Sequence, residues 1–252
     1  MEARKVSAAN GWLWIKQGAW LFKKSPILWM TLTIIAVSGL IGITTLPKVG
    51  DTLGTLLFPV LYAGFMLGCR SLEYDEELDL SHLFAGFKSN TLALLTLGGI
   101  NLAAQLAILG VVSMAGGAAL VDLLMSGQSV TESAILEQAV AEAGIAPLLG
   151  LLLLSVLLLG MQFAPMLIMF DKLSPFAALH VSFKGCLRNI IPLSIYGFVM
   201  MLFAIMATLP MLLGWLVLLP IMIASMYAAY RDLFPLPTEV APPAASETVA
   251  PQ

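Results

Sequence analysis

Charge is what this sequence has least of. Asp, Glu, Lys and Arg make up 11% of its 252 residues, against about a quarter in soluble domains. Hydrophobic residues make up 60%, and the mean hydropathy is +0.95. That shortage excludes an ordinary soluble domain and, with no basic stripe to follow a phosphate backbone, nucleic-acid binding. Histidine is nearly absent: His82 and His180 stand alone, so no metal is expected. The two cysteines, Cys69 and Cys186, have neither metal-like nor redox-like spacing and read as free thiols. No nucleophile, base and orienting residue form a recognisable set, and no glycine-rich phosphate loop precedes a helix. Neither enzyme chemistry nor a cofactor is therefore expected. The long apolar runs carry no Asp, Glu, Lys, Arg or His in their hydrocarbon portions. Ion-coupled transporters and proton pumps place such groups at depth, although each costs about 2.5 kcal/mol or more there.

What is there, in abundance, is apolar sequence of membrane-crossing length. About 20 residues of helix cross roughly 30 Å of hydrocarbon, and six runs qualify, at about 27–46, 52–69, 91–120, 145–170, 190–209 and 211–230. The fold expected is all-α and integral to the membrane, with six transmembrane helices arranged as three hairpins over residues 1–234. The first run starts late and has no small-residue cleavage site before its end, so it reads as an uncleaved anchor. Residues 235–252, rich in Pro, Ala, Thr, Ser and Glu, cannot build a core and are expected to be a disordered tail.

Each hairpin is preceded by an amphipathic stretch. In Asn10 to Pro26, a helix separates Trp14, Ile15, Gly18, Ala19, Leu21 and Phe22 from Lys16, Gln17, Lys23 and Lys24, the pattern of a helix lying in the membrane interface. A miniature version runs from Ser81, as cap, to Asn90, with Leu83, Phe84 and Phe87 on one face and Lys88 near its end. In the third, Ser174 and Pro175 mark the start, Phe176, Leu179, Phe183 and Leu187 line one face, and Lys184 and Arg188 share the other. Counting cations by side places Arg4, Lys5, Lys16, Lys23, Lys24, Arg70, Lys88, Lys172, Lys184, Arg188 and Arg231 together and Lys48 opposite, which makes both termini cytoplasmic. Pro59, Pro165 and Pro220 each interrupt an even-numbered run, so the layout has the look of a threefold internal repeat. Between the third and fourth runs, the acidic segment 121–144 has no Lys or Arg, and its Ser133, Ala134, Leu136 and Ala139 suggest a helix on the outer surface.

Polar residues inside the runs are few: Asn101 and Gln105 one turn apart, Gln162 and Tyr196. They either converge on a pocket for a lipid headgroup or small solute, or join helices by hydrogen bonds of about 0.6 kcal/mol each. Gly64 and Gly68, four apart, and the glycines from Gly98 to Gly117 read as sites of close helix contact.

The opening GWLWIKQGAWLFKKSP and the later SPFAALHVSFKGCLRNIIPL together resemble an uncharacterised family of six-span proteobacterial inner-membrane proteins. That family is akin to the membrane domain attached to some glycerophosphodiester phosphodiesterases. The resemblance rests on Trp12, Trp20, Phe22, Lys23, Pro26, Ser174, Pro175, Ser182, Arg188 and Asn189. It implies a bacterial inner-membrane location and brings no activity, because no soluble phosphodiesterase domain is present.

The function expected is that of a structural or accessory membrane component that binds anionic lipid or a partner membrane protein, a homo-oligomer included. Its lipid-facing residues would be Trp12, Trp14, Lys16, Trp20, Lys23, Lys24, Lys88, Lys184 and Arg188, each cation contributing about 1 kcal/mol near an anionic surface. The alternative is a permease or carrier for a small neutral or lipid-like substrate, using Asn101, Gln105, Gln162 and Tyr196. An intramembrane lipid enzyme comes third.

Overall fold

A computed structural model describes residues 2–125, 137, 140–209 and 211–235. Ser133, Ala134, Leu136 and Ala139 of the outer segment, the turn at Pro210 and the tail beyond Pro235 lie outside the described residues. Runs of Leu, Ile, Val, Met and Ala with no period-two alternation favour helix, and among the described residues every regular element is helical. α1 (Asn10–Lys24), α2 (Pro26–Thr44) and α3 (Gly50–Glu73) come first. A 3-10 turn (Leu80–Phe84) and the one-turn α4 (Ala85–Lys88) lead into α5 (Thr91–Val112), a π-helical stretch and α6 (Ala118–Met125). α7 (Ala146–Met161), α8 (Ala164–Asp171), α9 (Pro175–Arg188), α10 (Ile190–Thr208) and α11 (Trp215–Leu233) are the further helices among the described residues.

Among the described residues, six segments are long and apolar enough to cross a membrane: Pro26–Thr44, Gly50–Glu73, Thr91–Leu123, Ala146–Asp171, Ile190–Thr208 and Trp215–Leu233, here spans 1 to 6. Span 6 starts later than the apolar pattern suggests. Met211 and Leu212 have φ of 51° and 67°, left-handed values that a helix of L-residues does not pass through.

The spans divide into an inner and an outer set. Spans 2, 4 and 6 have 50%, 39% and 56% of their apolar windows buried, against 17%, 17% and 22% for spans 1, 3 and 5. Small residues explain the difference. Ala63, Gly64 and Gly68 in span 2 and Ala224, Ser225, Ala228 and Ala229 in span 6 are buried and let backbones approach.

Each amphipathic stretch covers one inner span. α1 packs on α11 and α10, the 3-10 turn and α4 pack on α3, and α9 packs on α7 and α8. Two glycines make the first two contacts possible: a Cβ at Gly18 would overlap Ser225, and one at Gly86 would overlap the carbonyl of Val60. Gly64 also serves the second contact, for it rests against the carbonyls of His82 and Leu83.

Three local expectations need correction. The cap of the miniature stretch is Asp79, whose carboxylate accepts from the Ser81 N–H at 2.6 Å, while Ser81 itself lies inside the turn. Those bonds from Ser81 hold the Asp79 carboxyl below its usual range. Only Leu83 of the expected face turns inward; Phe84 and Phe87 are exposed. In α9, Phe176 and Leu187 are likewise exposed, because the packed face consists of the small residues Ala178, Ser182, Gly185 and Cys186.

Span 4 is broken where Pro165 removes a backbone donor. α7 ends at Met161 and α8 begins at Ala164. Ser182 of α9 closes the gap: its hydroxyl accepts from the Phe163 N–H at 3.0 Å and donates to the Leu159 carbonyl at 2.9 Å. It thus stands in for the helical bond these two groups would have made with each other.

Candidate lipid interface and intramembrane cavity

One end of the bundle gathers most of the polar contacts between segments found among the described residues. Lys24 Nζ donates to the Leu72 carbonyl at 2.6 Å and to Asp75 at 2.5 Å, joining the start of span 1 to the end of span 2. Tyr227 donates to Glu73 at 2.5 Å and Arg231 pairs with the same carboxylate at 3.2 Å, joining spans 6 and 2. Tyr230 donates to Asp171 at 2.6 Å, and Asn90 to the Ile168 carbonyl at 2.7 Å. The buried Asn189 accepts from the Val6 N–H and donates to the Arg4 carbonyl, both at 2.9 Å. All six span ends on this side are therefore fixed in one layer, which also carries α1, α4 and α9.

On the rim of that layer lie most of the residues singled out for lipid contact. Trp12 and Trp20 are 42% and 51% exposed. Lys16 sits 5.8 Å from the Trp12 ring centre and Lys24 4.1 Å from that of Trp20, both within cation–π range. Lys23, Lys88 and Lys184 are exposed and make no ion pair among the described residues; Arg188 lies 3.6 Å from Glu2. Trp14 is the correction. It is 1% exposed, packed edge-on to Tyr196, and its indole N–H donates to Asp232 at 2.9 Å. The apolar face of α1 thus meets α10 and α11, so that Trp14 is a core residue and only the flank bearing Trp12 and Trp20 is open. Asp232 also receives Asn10 at 2.7 Å and Arg4, so four groups from the N-terminal region and span 6 share one site. The sequence pattern could not reveal this, because the partners are more than 200 residues apart.

The polar set inside the spans is divided. Asn101 and Gln105 face each other at 3.5 Å on span 3 and line no cavity described here. Gln162 and Tyr196 do share one, a half-open cavity of about 340 Å³ walled by spans 1, 2, 4, 5 and 6. Thr33, Phe58, Tyr62, Phe65, Met222 and Met226 also line it. Tyr62 was not among the polar residues singled out from the sequence; the four-residue spacing of Phe58 and Tyr62, which places them one helical turn apart and stacked in the structure, was the available signal.

His82 and the two thiols are held inside the structure, while His180 is exposed. His82 meets the Asp79 backbone through Nδ1 and the Ser71 hydroxyl through Nε2. Cys69 and Cys186 are buried free thiols, and burial pushes Cys186 up to about 12. No group of His, Cys, Asp and Glu among the described residues could hold a metal ion.

No family model matches the chain, and no solved structure does. A protein of Burkholderia thailandensis described as a probable inner membrane protein is 28% identical over 257 residues, covering 93% of this chain and 94% of the relative. With six membrane-capable helices and this likeness, the chain is a multi-pass inner-membrane protein.

Proposed function

We propose that the chain is a non-enzymatic structural or accessory component of the inner membrane, which uses the polar end of its bundle to hold anionic lipid or a partner membrane protein. The observation that carries this reading is the open flank of α1, where Lys24 stands 4.1 Å over the exposed Trp20 and Lys16 beside Trp12. Lys23, Lys88, Lys184 and Arg188 lie exposed on the same layer. Tryptophan at headgroup depth with lysine beside it is the usual dress of an interfacial surface. In this reading the bundle is three hairpins, each with an interfacial element, and both termini are cytoplasmic. The packing of α1 on span 6, α4 on span 2 and α9 on span 4 supports such a repeat, with its axis along the membrane normal. Kinship with the membrane domain of the phosphodiesterases would then be one of architecture alone.

Native mass spectrometry of the protein taken up with its own lipids tests this. The comparison is between wild type and a Lys23, Lys88, Lys184, Arg188→Gln variant, which spares Lys24 because that residue also ties spans 1 and 2 together. Retention of anionic lipid or a partner subunit by wild type and its loss from the variant is the expected result. Equal retention by both sinks the reading. A carrier for a neutral, lipid-like substrate is the second reading, favoured by the cavity at Gln162 and Tyr196.

A further inference from the structure

The cavity in the spans asks for an occupant of its own. It lies at hydrocarbon depth. At about 1.5 Å of helix per residue, Tyr196 stands roughly 9 Å, Thr33 roughly 10 Å, Gln162 roughly 13 Å and Tyr62 roughly 16 Å from the polar ends of their spans. No Asp, Glu, Lys, Arg or His lines it, so a charged head would enter without a counterpart at a cost of several kcal/mol or more. The lining therefore suits a neutral ligand.

Hydrogen-bonding capacity in the wall is left over. The Tyr62 hydroxyl makes no hydrogen bond among the described residues. The Gln162 amide has a single contact, Nε2 to the Met226 sulfur at 3.3 Å, which leaves its oxygen and second N–H unused. Tyr196, by contrast, is engaged, donating to the Met222 carbonyl at 3.3 Å with the Ser225 hydroxyl beside it. Polar groups at this depth normally find partners, and an aliphatic lipid tail offers none. The ester carbonyls of a glycerolipid belong near the interface, well above Gln162 and Tyr62. One wall is also flat: Phe58 and Tyr62 stack at 5.8 Å and 13°, and Phe65 stacks on Trp29 at 6.1 Å and 8°. Behind it the Trp29 indole N–H is buried without an acceptor among the described residues.

We propose that this cavity binds an isoprenoid quinone: a flat, uncharged ring whose carbonyl oxygens accept from Tyr62 and Gln162, with its apolar tail leaving through the open side into lipid. About 340 Å³ lies in the usual range for small-molecule sites. The ring face lies against Phe58 and Phe65, which leaves the Tyr62 hydroxyl to meet the ring at its edge. Only binding is inferred, and it rests on the cavity alone, so it stands or falls separately from the anionic-lipid reading.

The test is a titration of the purified full-length protein in neutral-lipid nanodiscs with a decyl-tailed benzoquinone, read by quenching of tryptophan fluorescence, since Trp29 lies directly behind Phe65. Saturable quenching, weakened tenfold or more in Tyr62→Phe and in Gln162→Leu with unchanged thermal unfolding, is expected. Should Gln162→Leu fail to fold, Tyr62→Phe, which removes one oxygen, carries the test. Quenching that rises linearly without saturation, or identical curves for wild type and Tyr62→Phe, overturns the proposal. So does equal competition by a decyl alcohol or by phospholipid, which would make the cavity a place for any chain.

Discussion

Ser182 shows how much one hydroxyl can hold in an apolar bundle. It satisfies both groups freed by the break in span 4, and it is 0% exposed, away from bulk water. Ser182→Ala should cost about 1–3 kcal/mol, the price of leaving buried backbone groups unpaired, and should lower the unfolding midpoint in detergent. Ser182→Cys, which keeps a donor and acceptor, should recover part of the loss. A second residue-scale expectation concerns Cys186, whose buried thiol is pushed up to about 12. The thiolate is the reactive form. At pH 7–8 the folded protein should therefore leave Cys186 unlabelled by maleimide, and labelling should appear only on unfolding; rapid labelling of the native protein would contradict the burial found for α9.

At the scale of the element, α1 is a docked helix with one wet flank. Trp14→Phe deletes a hydrogen bond to a carboxylate, a class of bond contributing about 1.5–3 kcal/mol, and should lower the unfolding midpoint clearly. Trp20→Phe, on the exposed flank, should leave it within a degree or two. Equal effects would mean that α1 floats on lipid. This is also where the sequence reading reached its limit. The amphipathic pattern of Asn10 to Lys24 identifies which residues share a face, and α1 forms where that pattern lies. Periodicity does not say whether an apolar face meets lipid or protein, since both are equally apolar. Gly11 and Gly18 carried the missing information: glycines on the apolar face of a helix mark close approach of another backbone, here Pro192 and Ser225. In the same way Asn101, Gln105, Gln162 and Tyr196 were all visible as polar exceptions, but their division between a pair on span 3 and a cavity across five spans depends on helix rotation, which the strongly apolar spans do not encode.

At the scale of the whole molecule, six spans were legible because hydrocarbon thickness imposes a length and a composition that no soluble helix matches. Which spans lie inside was written less plainly, in the small residues of spans 2 and 6. The proposed orientation, with both termini cytoplasmic, rests on the distribution of Lys and Arg. A single cysteine placed at Lys48 in a chain lacking Cys69 and Cys186 should react with an impermeant maleimide added to intact cells, whereas one placed at Ser81 should react only after the membrane is opened. The reverse pattern would invert the molecule and put its basic layer on the wrong leaflet. The central claim is that this layer prefers anionic lipid, and electron spin resonance of spin-labelled lipids tests it most directly. In mixed vesicles holding the wild-type protein, spin-labelled phosphatidylglycerol should show a larger motionally restricted fraction than spin-labelled phosphatidylcholine. The preference should shrink with added salt, as exposed charges are screened, and vanish in the Lys23, Lys88, Lys184, Arg188→Gln variant. Equal restricted fractions for the two lipids at low salt would contradict the account.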